Sequence, residues 1–82
     1  MKEIKSLKEF KIGKKYYFIS KIGNNKSIGI STSIKNGVVK FKIYKSTYRI
    51  IHPDEECYLD EVSFKEGKAY LLTENEFRVE IL

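Results

Sequence analysis

Basic residues are interleaved with aromatic residues in the middle of the chain, and this is the strongest chemical signal in the sequence. The basic and aromatic residues concerned are Lys35, Lys40, Lys42, Tyr44, Lys45, Tyr48 and Arg49. Small β-domains that bind single-stranded nucleic acid combine these residue types, because ammonium groups contact phosphates and flat rings stack on bases. Lysines on the outer face of a sheet also keep the sheet soluble and unaggregated. The pattern predicts a nucleic-acid-binding face, with a merely solvated face as the alternative.

An acidic stretch follows the basic one and indicates a different kind of site. Its residues are Asp54, Glu55, Glu56, Tyr58, Asp60 and Glu61. In a protein that works by covering a partner's site, such carboxylates around an aromatic anchor would meet a basic groove on the target. Phage- or plasmid-encoded inhibitors of host nucleases and defence proteins often have this size and lack catalytic groups. The alternative function is therefore an inhibitor that acts by protein–protein occlusion.

Catalytic and metal-binding sets are weak in this sequence. His52 and Cys57 are the single histidine and the single cysteine, and a nucleophilic pair would also need an orienting group and an oxyanion site. Zinc needs about four ligands, and the acidic turn at 54–56 lacks the alternating oxygen ligands of a calcium loop. The five glycines are scattered singly, so no phosphate-binding loop is indicated. We expect a protein that is not an enzyme and holds no metal or cofactor.

Composition indicates one small folded β domain spanning residues 1–82. The hydrophobic fraction of 41% and the charged fraction of 33% are those of an ordinary globular domain. The lone cysteine cannot form an internal disulfide, and the charged N-terminus does not resemble a signal peptide, so a cytoplasmic location is expected. No apolar run approaches the roughly 18 residues that a membrane-spanning helix needs, so no membrane partner is expected.

Charge is divided unevenly along the chain. Residues 1–49 carry a net charge of +11 and residues 50–82 carry −6, which together give +5. Two halves that stay apart in space would form a strong dipole and an interaction surface. Strands from both halves that lie side by side would instead pair their charges across the sheet, and this arrangement is the more ordinary one.

Residues 28–44 predict one β-hairpin. Asn36-Gly37 at its centre is typical of a two-residue type I′ turn, because both central positions need φ > 0. With that turn Thr32 is expected to lie opposite Phe41. The apolar side chains of the hairpin then share one face: Ile28, Ile30, Thr32, Ile34, Val39, Phe41 and Ile43.

Shorter signals surround this hairpin. Ser6 followed by Glu9 matches a capping box and predicts one helical turn. Residues 16–22 predict a first strand, in which the length of the next loop decides whether Tyr16 or Tyr17 is buried. Residues 48–51 resume the alternation out of phase after a bulge or a bend, and His52 to Glu55 form a turn at the only proline.

The last third of the chain repeats the hairpin pattern. Residues 58–64 and 68–73 flank Glu66-Gly67 as a second hairpin, and residues 77–82 alternate as a last strand. These signals predict an all-β fold: a small antiparallel meander of six or seven short strands, closed or nearly closed as a barrel of SH3-like or OB-like size, with at most one short helical turn near the N-terminus. We expect a monomer or an edge-strand homodimer. The expected core comprises Ile28, Ile30, Ile34, Val39, Phe41, Ile43, Val62, Phe64, Leu71 and Val79.

Overall fold

A computed structural model describes residues 1–21, 23–47 and 54–79. Within these ranges the chain forms six strands, one 3₁₀ turn over Leu7–Glu9 and two five-residue helices. The strands are β1 (Lys2–Glu3), β2 (Lys15–Ser20), β3 (Lys26–Lys35), β4 (Val38–Ser46), β5 (Glu56–Leu59) and β6 (Gly67–Leu71). The helices are α1 (Glu61–Lys65), between β5 and β6, and α2 (Glu74–Arg78), after β6.

All strands belong to one antiparallel sheet in the order β1-β6-β2-β3-β4-β5. Strands β2 to β5 form the predicted meander. Strand β6 then crosses over to pair with β2, with Tyr17 opposite Tyr70. In the described ranges no pairing joins β5 to β6 or β1, so the sheet is not closed. The prediction of an antiparallel sheet is confirmed, and that of a barrel is confirmed only in part.

The central turn is confirmed, but the register of its hairpin is not. Asn36 and Gly37 have φ of 51° and 74°, and Lys35 lies opposite Val38 as expected. Further along, Ser31 rather than Thr32 lies opposite Phe41, because a β-bulge inserts one residue into β3. The Thr32 hydroxyl donates to the carbonyl of Lys40 at 3.3 Å at this point. The predicted pairing of Thr32 with Phe41 is therefore wrong.

The bulge separates the two strands' apolar side chains onto opposite faces of the sheet. Phe41 lies on the inner face opposite Ser31, whereas Ile28 packs in a separate cluster on the outer face. Ser31 is 1% exposed, and its hydroxyl donates to the carbonyl of Lys11. Its backbone is also bonded to the N-terminal segment, with the Ser31 amide donating to Lys14 at 3.0 Å. A buried serine is tolerated here because the N-terminal segment supplies its hydrogen bonds, so the predicted single apolar face is wrong.

The described residues consequently form two apolar clusters instead of one. The buried residues of the inner cluster are Ile4, Phe10, Tyr16, Val39, Phe41, Ile43 and Ala69. The outer cluster, which Phe77 of α2 covers, contains Tyr17, Ile28 and Leu72. Tyr16 and Tyr17 are 1% and 5% exposed, so both are buried, one on each face.

The second half of the chain contains two helices where strands were expected. Asp60 caps α1, its carboxylate accepting from the Ser63 amide at 2.8 Å. Thr73 and Glu76 form a capping box that starts α2. The predicted hairpin of residues 58–64 with residues 68–73 is therefore wrong. The predicted last strand, residues 77–82, is wrong over its described part, residues 77–79. The predicted capping box of Ser6 and Glu9 is confirmed, on the 3₁₀ turn.

Three core predictions are wrong, two of them because helices replace the expected strands. Val62 is 66% exposed on α1, Val79 is 71% exposed after α2, and Ile34 is 37% exposed near the hairpin end. The predictions for 48–53, for Ile22 and for 80–82 lie outside the described residues. No helix in the described part of the chain is long and apolar enough to cross a membrane.

Candidate functional site

The outer face of β4 and β5 brings together residues from both predicted sites. Lys40, Lys42 and Tyr44 alternate along β4, and cross-strand neighbours share a face of a sheet. Tyr58 lies opposite Lys40 and Glu56 lies opposite Lys42. We call these five residues the β4–β5 outer face. Tyr58 is 63% exposed and Tyr44 is 47% exposed, so two aromatic rings are presented to solvent there.

Ion pairs across β4 and β5 join the predicted basic site to the predicted acidic one. The Lys40 ammonium lies 3.4 Å from the Glu56 carboxylate, and the Lys42 ammonium lies 3.7 Å from that of Asp54. These partners come from opposite halves of the charge distribution, so at these positions the halves pair across the sheet. The charge of this surface is balanced locally.

The Lys40–Glu56 ion pair is expected to contribute little to stability, because exposed pairs are worth about 0–1 kcal/mol. A double-mutant cycle with Lys40→Ala and Glu56→Ala, followed by urea unfolding, should give a coupling energy of at most about 1 kcal/mol. That coupling should shrink at about 1 M salt, where the Debye length is only about 3 Å. A coupling twice as large and insensitive to salt would contradict an exposed, weak pair.

Helix α2 covers the neighbouring part of the outer face. The Phe77 ring lies 4.8 Å from that of Tyr44, and the Lys15 ammonium lies 5.2 Å from the centre of the Phe77 ring. Lys15 also forms an ion pair with Glu74 of α2. The Tyr44 ring thus packs against a helix, tilted by 47° to the Phe77 ring, and is less free to stack on a base than its sequence position suggests. The Thr73–Glu76 capping box was the signal that could have revealed this cover.

The remaining predicted basic residues are dispersed. Lys35 is exposed where the hairpin turns, and Lys45 is half-buried beside Ile28 on β3. Tyr48 and Arg49 lie outside the described ranges. The structure therefore brings Lys40, Lys42 and Tyr44 together but leaves Lys35 at the far end of the hairpin.

Several acidic residues hold local structure. The hydrogen bond from the Ser63 amide lowers the pKa of the Asp60 carboxyl, which caps α1. Glu61 lies 3.9 Å from Lys65 one turn along the same helix. The backbone carbonyl of Glu55 accepts from the Ile43 amide at 2.8 Å. The predicted acidic stretch is thus a mixed surface in which Tyr58 is an exposed aromatic residue.

Cys57 faces the opposite side of β5 from Tyr58, towards the inner cluster. It lies opposite Phe41 and is half-buried. Burial, and after it the nearby Glu55 carboxylate, raises the pKa of the Cys57 thiol. A catalytic cysteine needs a lowered pKa, because the thiolate is the nucleophile. In the described ranges no group of three or more His, Cys, Asp and Glu side chains is placed to hold a metal ion.

Alkylation of Cys57 is expected to be slow in the folded protein. Because the pKa of the thiol is raised, less thiolate is present at a given pH than in the unfolded chain, whose pKa is about 8.5. The rate of reaction with iodoacetamide should therefore show a higher pH midpoint in the folded protein than in urea. The same shift stabilises the fold below the unfolded pKa, and that contribution is lost as pH rises through the folded pKa. A lower midpoint in the folded protein would contradict the effect of burial.

Comparison with protein-family models, with curated proteins and with solved structures found no match. Function must therefore be inferred from the contacts, charges and exposure of the residues themselves. The feature that stands out among them is the exposed Tyr58 between paired charges on the β4–β5 outer face.

Proposed function

We propose that this protein is a small non-enzymatic binding protein that works by covering a site on another protein. The observation that carries the proposal is Tyr58, whose ring is 63% exposed on an edge strand of four residues. A side chain that is this exposed contributes little to the stability of the fold. Tyrosine is enriched among the residues that dominate binding energy, because it supplies a large contact area with few rotatable bonds.

The charges around Tyr58 favour a protein over nucleic acid as the partner. Lys40 and Lys42 are each paired with a carboxylate, at Glu56 and Asp54. A phosphate backbone on this surface would have to displace these carboxylates and would be repelled by them. A protein surface of mixed charge could match both signs. The target would then carry acidic as well as basic groups at the contact.

The edge position of β5 supports a heterologous partner. In the described ranges no strand pairs with the outer side of β5, and such edges can accept a strand from another chain. Acidic residues at both ends of β5, including Asp54, Glu55 and Asp60, would lie close to those of a second copy in an antiparallel pair. Repulsion between them supports a monomer. We place this function among cytoplasmic inhibitors of the phage or plasmid type, which occlude a host nuclease or defence protein.

Nucleic-acid binding is the second candidate. It is favoured by the alternation of Lys40, Lys42 and Tyr44 on one face of β4, with Lys35 exposed at the hairpin turn. In this case the exposed ion pairs would open, since each is worth only about 0–1 kcal/mol. Tyr58, beside Lys40, would then stack on a base.

Fluorescence polarisation with labelled single-stranded DNA, duplex DNA and RNA separates the two candidates. Our proposal predicts no micromolar binding at about 50 mM salt. Binding that weakens at least tenfold between about 50 and about 200 mM salt, and that charge reversal at Lys40 and Lys42 abolishes, would overturn it in favour of nucleic acid.

The hypothesis of a protein partner is tested by comparing how well the wild type and two matched variants capture a partner protein. A partner bound by the wild type and by Val62→Ala, but lost with Tyr58→Ala, would support the β4–β5 outer face as the contact. Both changes truncate exposed side chains, at 66% and 63% exposure, so the fold should tolerate them equally. Truncation of a central tyrosine should cost at least about 2 kcal/mol of binding energy, roughly thirtyfold in Kd. Equal capture by all three proteins would rule out Tyr58 as the anchor.

A further inference from the structure

A cavity of about 340 Å³ opens on the inner face of the sheet, where β5 and β6 fail to pair. Its apolar walls are formed by Phe18, Phe41, Ile43, Cys57, Leu59, Phe64 and Ala69. Phe41 and Ala69, each 2% exposed, are the most buried of these residues, and the exposed residues Glu66 and Lys68 also line the cavity, where it meets solvent.

The cavity follows from the way the chain crosses from β5 to β6. Helix α1 makes this connection and contributes Phe64, whose ring lies 6.0 Å from that of Phe10 in the inner cluster. One side chain from so short a helix does not fill the gap left by the missing strand pairing. Protein interiors are normally packed with few voids larger than a water molecule, and atoms that line a void lose dispersion contacts. An apolar molecule in this cavity would restore those contacts.

We propose that this cavity binds a small uncharged aromatic molecule of about two fused rings with at most one polar group. A cavity of about 150 Å³ lined by aliphatic and phenyl groups is enough for benzene, and about 300 Å³ is the lower limit for small-molecule pockets. The volume of about 340 Å³ is thus suited to two rings rather than one. The three phenyl walls favour edge-to-face contact with an aromatic ligand. Glu66 and Lys68 at the opening of the cavity have opposite charges, so they favour neither a cationic nor an anionic ligand.

The cavity and the β4–β5 outer face meet at Tyr58, which also lines the cavity, but they lie on opposite sides of the sheet. Cys57 and Tyr58 are adjacent on β5, but their side chains lie on opposite faces of the sheet. The cavity proposal therefore does not depend on the proposed function, and either can fail without the other.

An NMR titration of the full chain with indole tests the cavity. We expect saturable shifts of the backbone amides of Phe18, Cys57 and Ala69, with a Kd below about 1 mM. Bound indole should also protect Cys57 from iodoacetamide, slowing alkylation about tenfold when its concentration is about ten times the Kd. Cys57→Phe, which fills the cavity, should weaken indole binding at least tenfold, whereas Cys57→Ser, which keeps its size, should leave the Kd within about threefold.

Several results would overturn the proposal. These are the absence of saturable shifts at about 10 mM indole, which is well above the expected Kd, shifts centred on Lys42 and Tyr44, which do not line the cavity, and unchanged affinity in folded Cys57→Phe. If Cys57→Phe does not fold, the alkylation assay on the wild type decides, because unprotected Cys57 at saturating indole contradicts a ligand in the cavity. Shifts of the same amides with an extended peptide, but not with indole, would assign the cavity to a side chain of a protein partner instead.

Discussion

Replacing Phe41 with alanine is expected to lower the free energy of unfolding by about 3–5 kcal/mol. The Phe41 ring is 2% exposed and lies at the centre of the inner aromatic cluster, 4.6 Å from Phe18, 5.5 Å from Phe10 and 6.0 Å from Tyr16. Its loss would enlarge a cavity that already exists beside it, and small domains have only about 5–15 kcal/mol of total stability. Urea unfolding at 25 °C, followed by circular dichroism, measures the change.

Two valines provide the matched control for this prediction. Val39 is 1% exposed on β4, whereas Val62 is 66% exposed on α1. Val39→Ala should cost about 2 kcal/mol, from two buried methyl groups, and Val62→Ala should change stability by less than about 0.5 kcal/mol. Equal costs at the two positions would mean that Val62 is buried in the strand of residues 58–64 expected from the sequence and does not lie exposed on α1.

Replacing Gly67 with alanine is expected to destabilise the protein by about 1–3 kcal/mol. A Cβ atom at this position would lie 2.6 Å from the carbonyl oxygen of Ile19 and 3.5 Å from the Cα of Ser20. These are backbone atoms of β2, so the clash cannot be relieved by a side-chain rotation. The β2 and β6 strands would have to separate where Ser20 lies opposite Gly67.

The sign of the Gly67 effect is what makes it informative. Where space is available, a glycine-to-alanine change in regular structure usually stabilises a protein by about 0.4–1 kcal/mol, because it restricts the unfolded chain. A lower thermal midpoint for Gly67→Ala would therefore report the close approach of β6 to β2. Lys68→Ala, at the exposed next position, serves as the control and should change stability by less than about 0.5 kcal/mol. A raised midpoint for Gly67→Ala would contradict the close pairing.

The features that the sequence could predict are local ones. The turn at Asn36 and Gly37 needs only two residues that tolerate positive φ, so it follows from residue type. The β-bulge at Thr32 does not, because it depends on hydrogen bonds between Ser31 and the distant Lys11 and Lys14. A two-residue periodicity cannot detect a register shift that tertiary contacts impose.

The helices were missed for a related reason. A single turn of helix such as α1 is too short for its hydrophobic period to differ clearly from that of a strand. Its start depends on the Asp60 cap.

The residues of the candidate site could be selected from the sequence. Their meeting on one face could not, since it depends on β5 pairing with β4, which brings the Glu56 carboxylate to the Lys40 ammonium.

The return of β6 to β2 has a consequence for the order in which the protein folds. The hairpin of β3 and β4 closes through two residues, whereas Tyr17 and Tyr70 must meet from positions fifty-three residues apart. Loop closure over such a distance loses more chain entropy than local pairing, which slows folding. We expect the hairpin to be formed in the transition state and β6 to dock later. Changes in the hairpin should then alter the folding rate, whereas Gly67→Ala should mainly accelerate unfolding.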